Sequence, residues 1–147
     1  MKSKKLLLIV LLSFAVDSFA QIKIEAKDGI HYITTNIDYP ITGTYQFQGT
    51  EPVVELNVGG TGFYQLHEQL KRAVNWGMEC DEAGSPKFNK GFDSAAYTLW
   101  YQYASKSDSD TEDDMNWKAV EFTVHFNTQK MFIQGERSKD YTETAEK

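Results

Sequence analysis

Side chains able to do chemistry are few in this 147-residue chain, and they are scattered. The histidines His31, His67 and His125 each stand alone, without a second His or a Cys three or four residues away. A zinc site gathers three or four N, S or O ligands, often at short local spacing, so the pattern predicts no metal centre. The single cysteine, Cys80, alternates with Val74, Trp76 and Met78, which puts it on an apolar strand face as a small buried residue rather than a nucleophile. No Gly-x-Ser-x-Gly elbow occurs. Glu55, Glu79 and Glu121 lie in strand-like runs, each on the polar side of its alternation, where they are expected to face water. A carboxylate pair could still perform acid–base work if the fold brought two together. The expectation is a protein that is not an enzyme and needs no cofactor.

Two further segments invite a ligand. In SKSDSDTEDDMN, residues 105–116, Asp108, Asp110 and Glu112 alternate as calcium ligands would. No glycine fills the sixth position, however, and the twelfth is Ala119 in place of a bidentate Glu, so the run reads as a mobile, solvated acidic loop. In VELNVGGTGFYQL, Gly59, Gly60 and Gly62 suggest a phosphate cradle. Such a cradle needs a helix after the glycines and usually a lysine, but a strand-like FYQL follows and the next lysine is Lys71. The glycines are therefore expected to supply positive φ angles at a hairpin corner.

The elements that must position these residues are short. Runs rich in Val, Ile, Thr, Tyr, Phe and Trp, punctuated by Gly and Asn, predict strands at 22–26, 30–35, 44–48, 53–58, 62–66, 73–80, 96–104, 117–126 and 130–135. Asp28-Gly29 predicts a tight turn between the first two. Val120, Phe122, Val124 and Phe126 alternate with Glu121, Thr123 and His125; Val54, Leu56 and Val58 alternate with Glu55 and Asn57. One apolar face per strand favours an antiparallel sheet over a parallel one buried on both sides. Trp100 breaks that rule by opposing Tyr97, Leu99, Tyr101 and Tyr103, so both faces are expected to be covered there. Residues 81–93 read as loop, and only 68–72 reads as a helical turn. The fold class expected is all-β: an antiparallel up-and-down barrel or closely related sandwich of about eight or nine strands.

Lys2, Lys4 and Lys5 precede the apolar run LLLIVLL, and Ser18-Phe19-Ala20 has the small-x-small form of a cleavage site, so residues 1–20 read as a secretory signal peptide. That run is too short to span a bilayer, and no later one approaches the roughly 20 residues needed, so no membrane span is expected. The single cysteine, Cys80, is far from the cleavage point, so no thiol stands at the new N-terminus to take a lipid, which predicts a periplasmic or secreted protein starting at Gln21. Removing the leader takes away three lysines and one aspartate, moving the net charge from −6 to −8. Without a basic footprint, nucleic acid is not an expected partner. Residues 21–137 form one domain of a size that buries roughly two-thirds of its unfolded surface, and residues 138–147 read as a polar tail prone to fray.

Aromatic residues make up 14% of the chain. Tyr and Trp combine apolar area with a polar tip and serve both cores and ligand pockets. The order of features from Gly43 to Cys80 is suggestive: Gly43-Thr44-Tyr45 opens a strand, Gly59-Gly60-Thr61-Gly62 forms a corner, and Trp76-Gly77 lies on the next strand. This resembles small bacterial lipocalin-like, calycin-type domains, although Tyr45 stands where the family usually has Trp. The resemblance implies a barrel with a central apolar pocket that binds a small apolar or amphipathic molecule. Inward strand positions then make Tyr45, Trp76, Tyr101 and Phe122 the pocket candidates. The competing expectation is an envelope interaction module with a filled core, which engages another protein through its long loops or an exposed strand edge.

Overall fold

The computed structural model of the chain describes residues 21–37, 41–46, 53–65, 70–126, 130–133, 136–137 and 140–143. The leader lies outside these residues, as does the first part of the helical turn read at 68–72, whose last residue, Arg72, opens a strand. The described chain is all-β and antiparallel, as its alternation requires.

Strands β1 (Ile22–Ala26) and β2 (Gly29–Thr34) form a hairpin around Lys27 and Asp28, with Ala26 opposite Gly29 at φ +133°. A curled sheet follows, built from β3 (Gly43–Gln46), β4 (Val53–Leu56), β5 (Thr61–Gln65), β6 (Arg72–Cys80), β7 (Phe88–Lys90), β8 (Ser94–Tyr103), β9 (Lys118–His125), β10 (Lys130–Ile133), β11 (Glu136–Arg137) and β12 (Asp140–Glu143). The strands run β11-β10-β9-β8-β6-β5-β4-β3-β12 across it. Strands β10 and β12 approach to within 8 Å between Cα atoms, so the sheet curls far toward a closed barrel.

Two strands lie where loop or tail was expected. Residues 81–93 contain β7, which pairs with the first half of β8, while the Lys87 N–H donates to the Glu79 carbonyl and prolongs contact with β6. The polar tail contributes β12, whose register runs from Asp140 opposite Gln46 to Glu143 opposite Gly43. Neither segment has an apolar alternation, because backbone pairing with a strand already in place holds each one.

The glycine corner is architecture. Gly59 and Gly60 take φ values of +88° and +87°, and the Asn57 N–H donates to the Thr61 carbonyl at 2.8 Å to close the hairpin. At Gly62 a Cβ would strike the Glu55 carbonyl oxygen, so only glycine fits against β4. Val58 continues the alternation of β4 in the sequence but sits in this turn and is exposed.

The concave face of the sheet holds one continuous core, with Tyr45, Val54, Leu56, Tyr64, Val74, Trp76, Met78, Leu99, Tyr101, Phe122 and Val124 among its members. Among the described residues, the convex face is covered around Trp100. There the β1–β2 hairpin attaches to the far half of β6 through Tyr32–Cys80, Ile33–Glu79 and Thr34–Met78 pairs. Ile24, Ile33 and Trp100 form a second small core, with Ala26 and Trp117 packed against it. Gly77 makes this possible, since a Cβ there would lie 2.8 Å from the Ile33 Cβ.

Candidate functional site

All four pocket candidates share the concave face and one core, as strand alternation requires. Three sit deep in it. Tyr45 and Phe122 are 0% exposed and meet edge to face at 5.8 Å between ring centroids, and Trp76 is 1% exposed. Their polar tips turn to the backbone: the Tyr45 hydroxyl donates to the Ile41 carbonyl, and the Trp76 Nε1–H lies 2.8 Å from the Thr61 carbonyl and 3.2 Å from that of Asn57. The glycine corner therefore fixes the Trp76 ring. A barrel of about eight strands has an interior just wide enough for side chains or one small ligand, and at this level side chains occupy it.

Tyr101 sits at a different level. Its ring stacks on Tyr64 at 4.5 Å and 8° between planes, and the half-buried Tyr103 meets it edge-on at 6.2 Å. Registers place two cations among these tyrosines, because Tyr64 pairs with Arg72 and Tyr101 pairs with Lys118. The Arg72 guanidinium lies 3.6 Å from the Tyr103 centroid and the Lys118 ammonium 4.4 Å from it. Burial pushes the Tyr101 hydroxyl up to about 12, with Tyr103 adding to the shift, so this hydroxyl is a neutral donor at any physiological pH. The result is an aromatic, cation-flanked rim at the end of the sheet from which the 105–116 loop departs.

That loop is held in place. Arg72 grips Asp110 with two N–H···O bonds of 2.9 and 2.6 Å and also donates to the Ser105 carbonyl. The Asp110 carboxylate accepts the Ser107 N–H as well, and the Arg72 bonds first, then this one, hold its carboxyl well below the ordinary range. Lys106 pairs with Glu112, and Gln102 donates to the Met115 carbonyl at the short 3₁₀ turn Asp113–Met115. The acidic run looks like a mobile loop by composition, yet Arg72, an unremarkable residue in sequence, orders it.

The three strand carboxylates do not converge. Glu121 is exposed and accepts from Thr123, and Glu55 pairs with Lys71 at 3.5 Å. Glu79 departs from expectation: the hairpin covers it, and its side chain is 19% exposed. Its Oε1 lies 3.3 Å from His31 Nδ1 and 3.7 Å from Lys87 Nζ, while its Oε2 faces Trp100 Nε1 at 3.4 Å. The second ring nitrogen of His31, Nε2, is 3.0 Å from Asp28 Oδ1, and the imidazole packs on Trp100 at 4.4 Å. Sequence reasoning missed this cluster because 48 residues separate His31 from Glu79. Its only sequence sign is that His31 shares a strand face with Ile33. Among the described residues no three His, Cys, Asp or Glu side chains gather as a metal site.

Cys80 is fully buried, and desolvation, reinforced by Asp81, pushes its thiol up; both make it unreactive. One shallow cleft of about 220 Å³ lies on the convex face, lined by Asn89, Ala96, Thr98, Ala119 and Glu121 together with parts of Tyr97 and Val120. Comparison with protein-family models, with curated proteins and with solved structures finds no match to this chain.

Proposed function

We propose that this is a non-catalytic binding protein of lipocalin-like plan, exported to the periplasm or beyond, which takes a small apolar or amphipathic molecule at the tyrosine rim. The observation that carries the reading is the change in packing along the concave face. Tyr45, Trp76 and Phe122 are 0–1% exposed at the packed centre, whereas Tyr64 and Tyr101, also buried, lead to the half-buried Tyr103, whose ring reaches the surface. A ligand's apolar part can lie against this rim, and the neutral Tyr101 hydroxyl can receive its polar part. Native mass spectrometry of the purified protein against a panel of detergents and fatty acids tests this. A retained adduct in the parent protein that Tyr101→Ala abolishes is expected; no adduct with any member of the panel refutes it.

A second reading, an envelope interaction module, is favoured by a different observation. Phe92 protrudes fully at 107% relative exposure, while Phe88 and Phe126 are 50% and 40% exposed. The Phe126 N–H donates to the Asp93 carbonyl, which brings the segments carrying Phe92 and Phe126 side by side. Exposed aromatics of this kind anchor protein contacts. If Phe92→Ser abolishes co-purification of a specific envelope protein while the rim variant does not, this second reading holds.

A further inference from the structure

The β1–β2 hairpin is joined to the rest of the molecule by a short ladder, a small apolar core, two exposed polar pairs and a polar cluster around His31, and that cluster is the part that can change state near neutral pH. His31 stands at its centre. Nε2 faces the Asp28 carboxylate at 3.0 Å and Nδ1 faces that of Glu79 at 3.3 Å. Ionised carboxylates only accept hydrogen bonds, and a neutral imidazole carries a single N–H. Both contacts can therefore be hydrogen bonds only when both ring nitrogens are protonated. Deprotonation must surrender one of them.

We propose that His31 makes the hairpin a pH-tightened strap: protonated, it clamps the hairpin turn to β6 across Trp100, and neutral, it lets that end of the hairpin loosen while the barrel stays intact.

Every group facing the imidazole fits this role. Asp28 comes from the hairpin turn, His31 from β2 and Glu79 from β6, so the first bond ties the turn to β2, the second ties β2 to the fixed sheet, and losing either breaks the link from turn to β6. From β8 comes only the Trp100 ring, 4.4 Å away, whose face favours a cation over a neutral imidazole. Lys87, 3.7 Å from the same Glu79 oxygen, keeps that carboxylate compensated when His31 loses its charge. The hairpin is thus slackened and not expelled. Nearby, Tyr32 donates to Glu82, and Lys27 pairs with Asp113 at 2.9 Å; neither pair involves the imidazole. Burial works against the charged ring, but the bonds and charges of Asp28 and Glu79 outweigh it and raise the His31 pKa above its ordinary value. A raised folded-state value gives stabilisation that is complete below the unfolded pKa and is lost as pH rises through the folded one. The strap therefore loosens above the ordinary histidine range, as pH rises through the raised value.

What loosens has a defined position. Ile24 and Ile33 cover Trp100, and Trp117 packs beside them, so a slack strap admits water to an aromatic patch on the convex face.

Amide hydrogen exchange on the purified protein tests the proposal, with rates corrected for intrinsic pH dependence. Protection of the β1 and β2 amides is expected to be about two- to fivefold higher at about pH 5.5 than at about pH 8, the range of a partly exposed ion pair. The β9 amides should not share the step. His31→Gln, which cannot titrate, should abolish the step, and Glu79→Gln, which leaves only the Asp28 carboxylate to favour the charged ring, should reduce it. The same step in His31→Gln, no step in the parent protein, or an equal step in β9 would each overturn the proposal.

Discussion

Gly77 offers the sharpest test of how the hairpin is seated. A Cβ at this position would lie 2.8 Å from both Cβ and Cδ1 of Ile33 and 3.0 Å from its Cγ1. Cβ is fixed to the β2 backbone, so a rotamer change cannot relieve the clash, and β2 itself must move away from β6. The ladder that opposes that movement is short, with three residue pairs. Overpacking of this kind costs about 1–3 kcal/mol, and the lower entropy of an unfolded Ala chain offsets roughly 0.5–1 kcal/mol of it. Gly77→Ala should therefore destabilise by about 1–2 kcal/mol, or roughly 4–8 °C in melting temperature for a domain of this size. Ile33→Ala alone should cost about 2–5 kcal/mol, because Ile33 is 1% exposed and its removal leaves a cavity beside Trp100. In the double variant the new methyl group enters the space the isoleucine vacated. The two changes should then couple favourably by about 1–2 kcal/mol in urea unfolding. Additivity within about 0.5 kcal/mol would show that Gly77 and Ile33 are not in contact, and the strap geometry would fall with it.

Four other outcomes follow from contacts elsewhere in the fold. Trp76→Phe removes the indole N–H from the Thr61 and Asn57 carbonyls and should lower stability by about 1–3 kcal/mol in urea unfolding, with faster exchange at the 57–61 corner. Asp110→Asn should expose the 105–116 loop to limited proteolysis several-fold faster, since Arg72 loses its charged partner. In the parent protein the same anchor, resting on a lowered carboxyl, should persist as pH falls through the ordinary carboxylate range and fail only below it, which proteolysis by an acid protease would follow. Cys80 should resist a thiol reagent in the native state and react stoichiometrically in denaturant, because burial both hides it and disfavours its thiolate.

Much of the curled sheet is legible residue by residue, because side chains alternate across a strand whatever lies around it. The buried set Val54, Leu56, Val74, Trp76, Met78, Phe122 and Val124 is the set that alternation selects. The rule overreaches at strand ends, where Val58 and Phe126 keep the pattern after the backbone has left the sheet. It also misses β7 and β12, which are held by backbone pairing with neighbours already in place. For the candidate site, alternation gathers Tyr45, Trp76, Tyr101 and Phe122 onto one face but says nothing of depth. Depth separates the packed centre from the tyrosine rim, and it depends on volumes contributed by seven or eight strands at once.

The sequence by itself determined the class of fold, the inward face of each long strand and the role of the Gly59-Gly60 corner, since these follow from local periodicity and from the φ angles only glycine takes at ease. Tertiary structure decided where the hairpin lies, which carboxylate meets His31, that Arg72 orders the acidic loop and which aromatics remain accessible. Each of these depends on contacts between residues tens of positions apart, which exist only once the sheet has curled and fixed its register.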